Sequence, residues 1–292
     1  MTARQVLPAD AGRLPRSPRL LNAARAACPG ISRRPAIGIN MRARRVMGRM
    51  VAFIAVAVIA SGCAEIAAAD PDALWKIVGG QCVPEAQASG RPGQCTSVNL
   101  AGHYAILKDI FGRTQHLLIP TERVAGIESP SILEPNAPDY WADGWSSRKV
   151  VEASLKQPLA ANQFGLEINS EFRRTQQQLH IHMDCMRPDV IDVLAAYRKE
   201  KPDQWRWETL GGVRYRIMRV TSLTQNNDPF RIVARDHPDS QTMATQTILV
   251  TGAGPSADQD GWLVLNSGLD VDNGTGTAEG LLDHACRLAD AQ

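Results

Sequence analysis

Between Gln178 and Met183 apolar and polar residues alternate without exception, Gln-Leu-His-Ile-His-Met. No other stretch of this chain restricts the local backbone so tightly. A helix would scatter that pattern around its circumference, whereas a strand sends successive side chains to opposite faces. Leu179, Ile181 and Met183 therefore enter a core, and Gln178, His180 and His182 line the opposite face. Two imidazoles then share one surface. With an ordinary pKa of about 6.5, imidazole is largely neutral yet protonatable near neutral pH, which suits nucleophilic, acid/base or metal-binding work. The spacing alone leaves three readings: a structural pair bonded to backbone carbonyls, two ligands of a metal site that needs a third, or a catalytic pair.

Charge divides the chain. Of its 32 Lys and Arg and 30 Asp and Glu, residues 1–63 hold eleven Arg and one acid, Asp10, so the remainder carries 21 bases against 29 acids, a net charge of about −8. A body this acidic repels a phosphate backbone, which argues against a general nucleic-acid binder. Its 44% hydrophobic content supplies one sizeable core or two modest ones.

Residues 1–69 read as a leader. Arg42, Arg44, Arg45 and Arg49 precede the uncharged stretch Met50 to Ala64, and small residues follow, which is the order of a secretory signal. The apolar run is shorter than the roughly 20 residues of a comfortable membrane span. Three fates compete: a lipid anchor at Cys63 in Ala60-Ser61-Gly62-Cys63, cleavage after Ala67-Ala68-Ala69, or an uncleaved anchor. Residues 1–40, rich in Arg, Ala and Pro, read as an extension upstream of a natural start at Met41.

Without Cys28 and Cys63 of the leader, four cysteines remain, an even number that suits an oxidising compartment. Cys82 and Cys95 flank a polar loop with Pro84, Gly90, Pro92 and Gly93, so they read as a local bridge. Cys185, just after the His strand, then pairs with Cys286 near the C-terminus. A zinc site is the competing use, and no Cys-x-x-Cys spacing supports it.

The rest reads as an α+β framework. A short helix is expected over 72–78, strands over 103–108, 115–119 and 164–169, and a turn at Gly112. Trp141, Trp145, Val151 and Leu155 give one helical stripe; Val190, Ile191, Val193, Leu194 and Tyr197 give a second after Pro188. Further strands are expected over 214–220, 247–251 and 262–266, with 252–261 as a hairpin loop. Trp205 and Trp207 flank Arg206 as one face of a strand, with a cytosine platform as the minority reading. Adjacent antiparallel strands with inserted helices argue against a doubly wound parallel sheet. His103, His116 and His284 read as sheet or surface histidines, His116 with an alternative place near a nucleotide. His237 before Pro238 reads as a solvent loop, and Asn273-Gly274-Thr275 as a turn.

Asn169, Thr175, Gln178, His180 and His182 together resemble the histidine-triad motif of nucleotide hydrolases and transferases. A longer ordered series resembles the bacterial CDP-diacylglycerol pyrophosphatases. It runs through Ala73-Leu74-Trp75-Lys76, Gly102-His103-Tyr104, Leu107-Lys108-Asp109 and Leu117-Leu118-Ile119-Pro120. It continues through Ile168-Asn169-Ser170, Arg174-Thr175-Gln176, Cys185, Arg187-Pro188-Asp189-Val190 and Asp283-His284-Ala285-Cys286. The resemblance implies a histidine-triad-like antiparallel sheet with packed helices over about 73–190 and an α/β extension over 191–292, together one pyrophosphatase domain over 70–292.

It also implies hydrolysis of CDP-diacylglycerol, a membrane lipid, to CMP and phosphatidate, without a cofactor or metal. The enzyme is then expected at the inner membrane, working on the exported side and held there by its leader; the oligomeric state is left open. His180 falls on the middle position of the triad and would form a covalent nucleotidyl intermediate, with His182 stabilising charge at the phosphorus. Asn169 and Thr175 match phosphate-facing positions. Gln178 replaces the first triad histidine and cannot take up a proton, which leaves open what protonates the leaving group. Lys108 reads either as a cation for the pyrophosphate or as a solvated strand-end lysine. The other function classes are an exported metal-binding protein and a lipid-binding protein without chemistry.

Overall fold

The computed structural model describes residues 70–290, so the leader read over 1–69 and its competing fates lie outside the described residues. Nine strands form one sheet: β1 Ser97–Asn99, β2 Tyr104–Lys108, β3 His116–Pro120, β4 Phe164–Ile168, β5 Ile181–Cys185, β6 Arg206–Leu210, β7 Val213–Val220, β8 Gln246–Gly252 and β9 Trp262–Gly268. Their order is β1-β2-β3-β5-β4-β8-β9-β7-β6, and every neighbouring pair is antiparallel. β5 lies between β3 and β4. The histidine strand thus runs through the interior of the sheet, not along an edge.

Strand alternation divides the core in two. Ile106, Leu118, Ile181, Met183, Leu166 and Val250 enter one cluster, covered by helices Tyr140–Ser146 and Pro229–Ala234, whose Trp141 and Phe230 rings stand 5.1 Å apart. The intervening residues supply the other face, which is apolar only at its two ends. Leu107, Leu117 and Ile119 pack on Val78 and Cys82 at one end; Leu249, Leu263 and Leu265 pack with Val190 and Leu194 of helix Pro188–Leu194 at the other. Between these clusters the face carries Glu167, His182 and Asp184, with Glu167 and His182 directly paired across β4 and β5. Because both faces are covered, these polar side chains are buried as well. A polar strip enclosed by apolar packing needs internal partners.

Helix Ala73–Ile77 continues through a π-helical turn, Val78–Cys82, into helix Val83–Ser89, which ends at Gly90 in the left-handed conformation, φ 72°. The apolar stripe from Trp141 to Leu155 is split into helices Tyr140–Ser146 and Lys149–Glu152. Three helices beyond the expected set appear, Val83–Ser89, which occupies part of the polar loop expected between Cys82 and Cys95, Pro229–Ala234 and Ser240–Ala244; the Asp228 and Asp239 carboxylates accept from the Arg231 and Thr242 amides as N-caps. The 252–261 connection contains a further short helix, Ala257–Asp260. The expected histidine strand begins late, at Ile181, so Gln178 to His180 form its lead-in. Strands of the 191–292 segment join the same sheet through four residue pairs between β4 and β8, so one sheet spans both the expected core and its extension. Among the described residues no helix is long and apolar enough to cross a membrane.

Both expected disulfides form, Cys82–Cys95 across 13 residues and Cys185–Cys286 across 101. In the chain-entropy account a loop near 15 residues contributes about 3 kcal/mol and one near 100 about 4.7 kcal/mol. Replacing Cys185 and Cys286 together by Ser is therefore expected to lower Tm more than replacing Cys82 and Cys95 together. Thermal melts of the two double variants in parallel check this; equal losses, or the reverse order, contradict it.

Candidate active site

The polar strip opens into a cavity of about 550 Å³. Its floor contains His180, His182, Asn169, Gln115, Glu279 and His284. One wall is apolar, built from Ala73, Leu74 and Ile77 of the first helix with Leu107 and Leu117 of the sheet, and Ile110 and Phe111 stand at it, 89% and 70% exposed. The loop before β5 supplies Arg173, Arg174 and Thr175. Gln176 pins that loop to the helix, accepting from the Leu74 amide at 3.0 Å and donating to the Asp70 carbonyl at 3.0 Å.

Each imidazole is fixed by its neighbours. The His180 Nδ1–H donates to the Gln178 carbonyl at 2.7 Å, which leaves the lone pair on Nε2. Among the described residues Nε2 has no hydrogen-bond partner. The Gln115 amide nitrogen lies 2.7 Å from His182 Nδ1 and 3.2 Å from Asp109 Oδ2. A carboxylate only accepts, so that nitrogen is the NH₂, and His182 Nδ1 accepts its second hydrogen. His182 therefore carries its proton on Nε2. Asn169 Nδ2 stands 3.5 Å from that atom and 3.4 Å from the Glu279 carboxylate, which likewise identifies it as a donor. Two N–H groups, from His182 and Asn169, converge with no acceptor between them; this is an arrangement suited to an oxyanion.

Burial holds both imidazoles neutral. Desolvation, with smaller repulsion from His182, pushes the His180 pKa down to about 4; desolvation, with repulsion from His284, pushes that of His182 down to about 3. His180 therefore keeps a free lone pair at neutral pH, and neither imidazole is a ready proton donor. Glu167, beneath them, is pushed up to about 8 by burial, against the Ala278 amide bond that opposes the rise, so it too is mostly neutral at pH 7.

The remaining positions singled out in the sequence have definite places. Thr175 is an exposed residue at the cavity. Lys108 also reaches the cavity, but its ammonium donates to the Asp109 and Gly112 carbonyls. Gln178 lies outside it, fully buried, with its amide donating to the Pro120 and Glu122 carbonyls and accepting from the Val124 amide. Its side chain holds the exit of β3. His116 pairs with Met183 in the sheet, on the face opposite His182, and bonds the Thr114 carbonyl, so it is not near the cavity floor. Trp205 and Trp207 lie elsewhere, under Arg216 and Arg214.

Sequence reasoning did not assign Gln115, Glu279 or His284 to the site. Glu279 Oε1 lies 3.7 Å from His182 Nδ1 and 3.6 Å from His284 Nε2. Arg174, whose side chain is 3% exposed, is held by Glu128 through two bonds of 2.6 and 2.7 Å, and its Nε has no partner among the described residues. Among the described residues no group of three or more His, Cys, Asp or Glu has an arrangement that could hold a metal ion.

The family model described as CDP-diacylglycerol pyrophosphatase matches residues 69–290. A CDP-diacylglycerol pyrophosphatase of Yersinia pestis is 36% identical over 220 residues, which cover 74% of this chain and 84% of that protein.

The depressed histidines tie stability to pH. Their unfolded forms bind protons below about 6.5 while the folded forms do not until about 4 and 3. Tm is therefore expected to fall as pH is lowered from about 6.5 toward 4, and His182→Gln is expected to flatten that fall. Melts across this window check it; an unchanged slope in the variant contradicts the burial account.

Proposed function

This chain belongs to the CDP-diacylglycerol pyrophosphatase family of hydrolases, and from that premise we propose that it cleaves the pyrophosphate of CDP-diacylglycerol to CMP and phosphatidate through a nucleotidyl-His180 intermediate. The carrying observation is His180 itself: Nδ1 spent on the Gln178 carbonyl, Nε2 unpaired, and the ring neutral in the floor of a cavity. Nε2 attacks the cytidine-linked phosphorus, an N–P bond forms, and the bond to the bridging oxygen breaks. Water then cleaves the N–P bond, yielding CMP and returning the electron pair to Nε2. The His182 and Asn169 N–H groups stabilise charge on a non-bridging oxygen during both displacements. Thr175 adds a hydroxyl, and exposed Arg173 supplies positive charge beside the phosphates.

The apolar wall suits the other half of the substrate. Leu74, Ile77, Ile110 and Phe111 offer a surface for acyl chains beside the polar floor. We read the sheet around β3, β4 and β5 as histidine-triad-like. The two disulfides favour an exported enzyme, and the leader would hold it at the inner membrane with the catalytic domain on the exported side.

Full-length protein in detergent is expected to release CMP from CDP-diacylglycerol, to keep doing so in EDTA, and to lose the activity by at least about 10³-fold on His180→Ala, the range seen when a nucleophile is removed. Chromatography of released CMP checks all three. Retention of the wild-type rate by His180→Ala contradicts the mechanism, and loss in EDTA contradicts its metal independence. Replacing Phe111 by Ser is expected to raise KM for the lipid while leaving that for a short-chain CDP-ester unchanged; equal changes for both contradict the acyl-chain assignment.

A further inference from the structure

His284 was expected as a sheet or surface histidine, but the 185–286 bridge brings it to the cavity floor. Its Nδ1–H donates to Asp184 Oδ2 at 2.9 Å. Asp184 is fully buried, and its other oxygen accepts from the Thr114 hydroxyl and the Cys185 amide. The carboxylate is thus held rigidly from three sides, and it fixes both the orientation and the tautomer of the ring. Nε2 is left facing the cavity, 3.6 Å from Glu279 Oε1, which also stands beside His182.

The reaction lacks one component. A proton delivered to the phosphatidate oxygen as the bridge breaks makes it a better leaving group, yet His180 and His182 are held neutral, and Gln178 stands where a first triad histidine would be. We propose that His284, oriented by Asp184, is the general acid and base of the reaction. This rests on the nucleotidyl-His180 reading above. In the first displacement the P–O bond to phosphatidate breaks while His284 Nε2 gives its proton to the departing oxygen. In the second, neutral His284 takes a proton from the attacking water as the N–P bond breaks, so the imidazolium is restored and the proton count closes.

The charges around the ring favour the protonated form. Asp184 on β5, Glu279 in the turn after Ala278 and Asp109 after β2 all raise the His284 pKa above its ordinary value, with the Asp184 hydrogen bond the leading cause and partial burial opposing it. The other neighbouring ionisable groups are neutral His182 on β5, Lys108, turned to the 109–112 carbonyls, and Arg113, paired with Asp290. This arrangement parallels an Asp-oriented catalytic histidine in which the carboxylate holds the tautomer and stabilises the imidazolium.

The test uses full-length protein with two substrates, CDP-diacylglycerol and a 2,4-dinitrophenyl ester of CMP, whose much more acidic leaving group departs as an anion without a proton. His284→Gln is expected to slow CMP release from the lipid by about 10²-fold. With the dinitrophenyl ester the same variant is expected to give a rapid stoichiometric burst of dinitrophenolate followed by slow turnover, because the second displacement still lacks its base. Wild type should show an alkaline limb in kcat/KM above pH 6.5, the ordinary imidazole value, and the variant should not. Loss of the burst together with lipid turnover indicates a merely structural role and overturns the proposal, as does an unaltered lipid rate or a wild-type profile without the limb. A burst that survives His180→Ala, or wild type that releases no CMP from the lipid, overturns the nucleotidyl-His180 reading instead.

Discussion

Two imidazoles can lie this deep in the sheet only as neutral groups, each with one ring nitrogen held by a fixed partner, and that requirement organises the site. Charging either one in place is opposed by desolvation and by a neighbouring imidazole, His182 for His180 and His284 for His182. Each proton is therefore assigned by a fixed neighbour, the Gln178 carbonyl for His180 and the Gln115 amide for His182. The result is a pair with opposite capacities, one presenting a lone pair and the other an N–H. Burial that costs stability as the medium becomes acidic keeps the His180 lone pair available at neutral pH.

The sheet makes room for this pair by being apolar at the two ends of one face and polar in the middle. The first helix packs at one end and helix Pro188–Leu194 at the other. Neither covers β4 and β5 completely, so the cavity lies in the gap between two cores. The C-terminal segment closes the remaining side. Leu282 bridges to Met186, the Asp283 amide donates to the Cys185 carbonyl, and the disulfide fixes the tail three residues later. His284 and Glu279 owe their places to these contacts.

Much of this was legible locally. Alternation at Gln178 to Met183 located the central strand and separated Ile181 and Met183 from His182, and cysteine parity gave both bridges. What escaped depends on distant packing. Alternation says which residues share a face but not whether that face is covered, so it does not show that the histidines line a cavity. Gln178 follows the alternation in sequence but precedes the strand in space, where backbone carbonyls at Pro120 and Glu122 occupy its amide. His284 lies 100 residues from its partner Asp184, and its place at the cavity is invisible without the fold. The Asp228-Pro229 and Asp239-Ser240 helix starts, in contrast, carried a local capping signal that their short apolar runs concealed.

If His180 carries the nucleotidyl group, the phosphorus passes through two displacements, first onto His180 Nε2 and then onto water. The stereochemical course tests this most directly, with a substrate made chiral at the cytidine-linked phosphorus by sulfur substitution and hydrolysed in ¹⁸O-labelled water. Two in-line displacements predict net retention of configuration in the CMP thiophosphate released. Net inversion would mean that water attacks the substrate directly, and would contradict a covalent intermediate on His180.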